Sequence, residues 1–161
     1  MKRFFYSLLI LPLIALAACS EDDNVPQVTF DVAFEGATNV DGTFYVVQGD
    51  SLMVNAVTVT PVAGTKDASV GNVTYIWDYQ PAGTMFVAPF GVAIPTSRQS
   101  LGEHLLQLDV TVLQVDKAVG TAILTYPVMI VKDVDEIPQG ANVNVTALTG
   151  ITAPIREATG V

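Results

Sequence analysis

Residues 73–79, Val73-Thr74-Tyr75-Ile76-Trp77-Asp78-Tyr79, decide the fold. Bulky side chains recur at every second position, Val73, Tyr75, Trp77 and Tyr79, with Thr74, Ile76 and Asp78 between them. A period of two puts all four on one face of a β-strand. Three aromatic rings beside a valine on one face predict a core-facing strand, because burying such rings requires a second layer. Pro81-Ala82-Gly83 is expected to end the strand.

The same period runs outward in both directions. Val28, Phe30, Val32 and Phe34 alternate with Thr29, Asp31, Ala33 and Glu35. Gly36 to Gly42 reads as a turn, and Phe44–Val47 as a short strand ended by Gly49-Asp50. Leu52, Val54 and Ala56 alternate up to a phase change near Ala56-Val57, which predicts a bulge or a strand buried on both faces. Residues 62–72 read as a loop. Met85 to Ile94 is apolar, but Pro89, Gly91 and Pro95 cut it into short edge pieces. His104, Leu106, Leu108, Val110 and Val112 share one strand face. Ala122, Leu124, Tyr126, Val128 and Ile130 share the next, and the two strands read as a hairpin. No long segment carries a helical period. The fold class is therefore all-β, an antiparallel sandwich of about seven strands.

Three stretches carry a family resemblance: Gly49-Asp50-Ser51-Leu52, Thr74–Tyr79 and Gly102-Glu103-His104-Leu105-Leu106-Gln107-Leu108-Asp109-Val110. Together they resemble the second, third and sixth strands of a PKD-like or immunoglobulin-like domain over residues 26–132. The resemblance implies that Trp77 is the core plug and that the Gly-x-His strand packs opposite it. The chain departs from the pattern at Gln80-Pro81-Ala82, where PKD repeats carry Gly-Asp-Gly. With no second cysteine there is no disulfide for Trp77 to lie against, so aliphatic neighbours are expected.

The N-terminus reads differently. Lys2 and Arg3 precede an almost wholly apolar run from Phe4 to Ala18, the pattern of a secretory signal. The run is too short for a membrane-spanning helix of about 20 residues. Leu16-Ala17-Ala18-Cys19 resembles the lipobox of bacterial lipoproteins. That resemblance implies cleavage of residues 1–18 and lipidation of Cys19, with palmitate-type acyl chains as a membrane anchor. Residues 19–25 form an acidic tether containing Glu21-Asp22-Asp23. It resembles the export signal of Bacteroidetes-type surface lipoproteins, which implies an outer-membrane, cell-surface location.

Val and Thr supply about a quarter of the chain, and their branched Cβ atoms favour pleated surfaces. After cleavage the chain holds 5 basic and 16 acidic residues, so it repels phosphate and no nucleic-acid partner is expected. One histidine and no spare thiol cannot build a zinc site. Calcium needs clustered oxygens, and Asp133, Asp135 and Glu136 are the best such group, with a solvated acidic linker as the plainer reading. Residues 133–161 read as linker and C-terminal extension, with an extra strand over 142–148 and no period from Thr149 onward.

The residues point to no catalyst. His104 sits in a core strand, and Ser51, Ser69, Ser97 and Ser100 lack a nucleophile-elbow context. Met85, Phe86 and Phe90 are candidates for an exposed contact surface. Asn72-Val73-Thr74, Asn144-Val145-Thr146 and Asp50-Ser51-Leu52 match short glycosylation patterns that Thr-rich strands also produce. The expectation is a non-catalytic, membrane-anchored module that binds a glycan or a surface protein. One alternative is a fibre subunit that donates the Val143–Ala147 segment as a strand to a neighbour. The other is a carbohydrate-active enzyme, which requires His104 and an acid in a shared open cleft.

Overall fold

Strand β1 (Val28–Glu35) turns Val28, Phe30, Val32 and Phe34 into the interior and leaves the alternate residues partly exposed, as its period requires. The computed structural model describes residues 24–139 and 147–158. The export segment, Cys19 and residues 142–146 of the expected extra strand lie outside the described residues. Beyond β1 the elements are β2 (Thr38–Val40), β3 (Thr43–Val47), β4 (Ser51–Pro61), β5 (Ala68–Trp77), β6 (Gln80–Met85), β7 (Val92–Pro95), β8 (Gly102–Gln114), β9 (Gly120–Val131), β10 (Ala147–Ile151) and β11 (Ile155–Glu157). A single 3-10 turn, Val134–Glu136, interrupts the β structure among the described residues.

Two sheets face each other. One has the order β10-β1-β4-β7; the other runs β2-β3-β9-β8-β5-β6, with β11 also on β9. Among the described strands every pairing is antiparallel except β3 with β9. A chain that runs up one sheet and crosses to pair parallel with the last long strand of the other forms an immunoglobulin-like sandwich. Phe30, Leu52, Val73, Tyr75, Leu106, Leu108 and Ile130 fill the space between the sheets. Tyr75 reaches across it, its hydroxyl donating to the Phe90 carbonyl at 2.6 Å. Phe34, Phe44 and Tyr126 form an aromatic cluster with ring centroids 4.3–5.9 Å apart.

The phase change in β4 is a bulge. Ala33 pairs with Ala56 and Phe34 with Val54, so Asn55 is the extra residue that flips the alternation. Residues 68–72 belong to β5 rather than to a loop. Val70 and Asn72 pair with consecutive β8 residues, and the bulge at Gly71 hides the period there. Thr38–Val40 is also a strand. The Asp41-Gly42 turn has positive φ at both positions (50° and 89°), the two-residue geometry that matches strand twist.

The C-terminal extension is part of the sandwich. Strand β10 pairs with β1, the chain crosses to the other sheet, and β11 pairs with Ala122, Thr121 and Gly120 of β9. Leu148, Ile151, Ala153 and Ile155 pack on the core. Residue 132 is thus no structural boundary. The irregular β10 register, with Gly150 at φ 66°, explains why no period showed there. Ala147, the last residue of the segment expected as a donated strand, pairs with Ala33 of its own domain, and residues 143–146 lie outside the described residues.

Candidate functional site

The second sheet ends its β5–β6 hairpin in a tight left-handed turn. Asp78 and Tyr79 have φ of 47° and 66°, and Trp77 pairs with Gln80. The strand period therefore stops at Trp77. Tyr79, expected in the core, is instead 79% exposed, because the turn swings it out of the strand. Pro81 lies in an edge strand, where its missing N–H faces no partner strand. Trp77 itself is buried in the main core, as the family resemblance implied.

Asp78 ties this turn to the start of β8. Its Oδ1 accepts the Leu105 N–H at 2.9 Å, and its own N–H donates to the Leu105 carbonyl at 3.0 Å. Its Oδ2 meets His104 Nδ1 at 2.6 Å, while His104 Nε2 meets the Ser100 carbonyl at 2.9 Å. A carboxylate and a carbonyl both accept, so the protonated ring, donating from both nitrogens, satisfies both contacts. Burial pushes the His104 pKa down, but the Asp78 hydrogen bond, the Ser100 carbonyl and the Asp78 charge together raise it above the ordinary imidazole value. The ring stacks on Trp77 with centroids 5.2 Å apart and planes tilted by 21°. Trp77 thus rests on a flat imidazole ring rather than on aliphatic side chains alone.

These residues border an open depression of about 590 Å³ on the outer face of β3, β9 and β8. Thr43, Tyr45, Tyr79, Glu103, Leu105 and Met129 supply most of its wall. His104 lies at its rim with a side chain only 5% exposed. Both ring nitrogens are hydrogen-bonded within the protein, to Asp78 and to the Ser100 carbonyl. Ser100 meets it through a main-chain carbonyl, not a hydroxyl.

The depression lies far from the tether. Asn24 accepts from the Ala118 N–H at 2.8 Å, and the Gln27 N–H donates to Gln114 Oε1 at 2.7 Å, so the N-terminus leaves beside the β8–β9 loop. Glu103 stands at the opposite end of β8, about 35 Å away at roughly 3.3 Å per residue.

The candidates named from sequence are not brought together. Phe86 is 70% exposed, but Phe90 is only 8% exposed and belongs to the core. Its φ of 64° and the turn from Val87 direct it inward, which the apolar run Met85–Ile94 did not reveal. Met85 is half-buried against the same core. The calcium candidates do not form a ligand set. Glu136 accepts the Lys132 N–H at 3.1 Å, and among the described residues no group of three or more acidic, histidine or cysteine side chains converges to hold a metal. A short 3-10 turn strings Asp133, Asp135 and Glu136 along the chain instead. Tyr45 and Glu103 carry no site signal in the sequence, and Tyr79, a candidate with Tyr75 and Trp77 for a sugar-stacking platform, reads there as core. The Asp78-Tyr79-Gln80-Pro81 sequence, a turn signal ahead of an edge proline, was the available cue for Tyr79.

No family model and no curated protein matches the chain. A solved structure of the fibronectin(III)-like modules of Clostridium thermocellum CbhA is similar to it, with 13% identity and a TM-score of 0.42. The match covers 73% of this chain and 53% of that one, so this chain spans about half the length of its structural neighbour.

Proposed function

We propose that this chain is a non-catalytic lipoprotein, anchored through Cys19, whose sandwich presents the depression walled by Tyr45, Tyr79 and Glu103 to an extracellular glycan or surface protein. The observation that carries this reading is the position of the depression, at the opposite end of the domain from the point where the tether leaves. An anchor confines the module near the membrane and raises its effective concentration there, so that even a weak contact becomes useful. An exposed tyrosine beside a carboxylate offers both a flat apolar surface and hydrogen-bond acceptors. The engagement of both His104 nitrogens supports binding over catalysis. The −11 charge of the cleaved chain disfavours phosphate-bearing partners.

Two experiments test the proposal. Cys19→Ala should release the protein from the membrane fraction; retention of the variant would contradict the anchor. A screen of the mature chain against extracellular glycans and surface proteins, with and without calcium, should yield a ligand that Tyr79→Ala weakens.

A further inference from the structure

The end of the sandwich from which the tether leaves has a chemistry of its own. The segment from Asn24 to Gln27 lies between two loops. The Val62 N–H donates to the Gln27 carbonyl at 3.0 Å, the Ala118 N–H donates to Asn24, and the Ala158 N–H donates to the Val119 carbonyl at 2.8 Å. The Val115 N–H donates to the Asp67 carbonyl, which joins the two loops. Val62, Leu113, Val115 and Val119 are all exposed here. Other apolar side chains, Phe86, Val87, Leu101, Ile123 and Val134, are exposed elsewhere on the domain, but these four gather where the tether leaves.

Charge divides along the same axis. At this end Lys66, Lys117 and Arg156 balance Asp67, Asp116 and Glu157, and Lys66 pairs with Asp116. The rest of the described chain sets Arg98 and Lys132 against ten carboxylates, Asp31, Glu35, Asp41, Asp50, Asp78, Glu103, Asp109, Asp133, Asp135 and Glu136. Among the described residues the tether end is therefore balanced in charge, and the remainder is strongly acidic.

We infer that Val62, Leu113, Val115 and Val119 form a docking surface for the bilayer, so that the domain stands on its tether end. This rests on the proposed anchoring at Cys19. The length of chain between anchor and domain identifies the occupant. From Cys19 to Asn24 a fully extended chain spans about 17 Å, so acyl chains at Cys19 keep this face within that distance of the headgroups. Valines at the surface then reach the headgroup boundary, and lysine stems extend along it with their ammonium groups in water. The acidic tether reaches the same end, so the lipid contacted is zwitterionic rather than anionic. The consequence is orientation: the long axis stands off the membrane and the depression faces outward.

Cys19 is the sole cysteine of the chain and the proposed lipidation occupies its thiol, so an introduced cysteine can be labelled alone. Lipidated Val115→Cys, Val119→Cys and Tyr79→Cys variants, each carrying an environment-sensitive fluorophore, are reconstituted in phosphatidylcholine–phosphatidylethanolamine vesicles containing brominated lipid. Labels at 115 and 119 should shift to the blue and lose emission to the brominated chains, while the label at 79 should not. Membrane-bound protein with labels at 115 and 119 as unquenched as that at 79 overturns the docking surface and leaves the anchor standing. Protein that never enters the vesicle fraction overturns both.

Discussion

Asp78 grips His104 with one carboxylate oxygen and the backbone of β8 with the other. Oδ2 lies 2.6 Å from Nδ1, and Oδ1 lies 2.9 Å from the Leu105 nitrogen. One side chain thereby fixes the turn that exposes Tyr79, the start of β8 and the imidazole ring on which Trp77 rests. Two residues of the Trp-Asp and Gly-x-His stretches, 26 positions apart in sequence, turn out to be one structural unit.

This pairing predicts a pH dependence of stability with a definite sign. The folded-state pKa of His104 lies above that of the unfolded chain, about 6.5, so folding favours the protonated ring. The contribution is complete below that unfolded value and is lost as pH rises through the higher folded one. Urea midpoints of the natural chain and of His104→Gln, taken from pH 5 to pH 9, should therefore converge with rising pH. A gap that stays constant or widens would contradict the ion pair.

Tyr75→Phe tests the contact across the core. The substitution keeps the ring but leaves the buried Phe90 carbonyl without its donor, which should cost about 1–3 kcal/mol. Equilibrium unfolding measures it, and a neutral substitution would show that the hydrogen bond contributes nothing.

Gly120 tests the C-terminal strap. A Cβ there would lie 2.4 Å from Ile155 Cγ2 and 2.7 Å from Pro26 Cδ, too close for either to stay in place. Gly120→Val should lower stability by about 1–3 kcal/mol and release β11 from β9, read as faster amide exchange at residues 155–157. Unchanged protection there would mean that the strap is not held by this packing.

Much of the sandwich was legible because its long strands alternate cleanly. Leu106, Leu108, Val110 and Val112 are buried where the period puts them, as are Val28, Phe30, Val32 and Phe34. The misses share a physical cause, since each lies where the backbone leaves its period. Positive φ at Asp78 and Tyr79 sends an aromatic out to solvent; positive φ at Phe90 sends another in. Bulges at Asn55 and Gly71 shift the phase. The two C-terminal strands are too short and irregular for any pattern to emerge. The candidate site was the least legible part, because its wall comes from β3, β8, β9 and a turn. Only their pairing brings Tyr45, Tyr79 and Glu103 to one face.

The most direct measurement compares two exposed aromatics as binding residues. Affinity for the strongest ligand from the glycan and protein screen is measured for the mature chain, for Tyr79→Ala in the depression and for Phe86→Ala on the β6–β7 connection. The account predicts a loss of about tenfold for Tyr79→Ala, roughly 1.4 kcal/mol, with Phe86→Ala unchanged. A loss confined to Phe86→Ala, or no ligand at all for the mature chain, would contradict it.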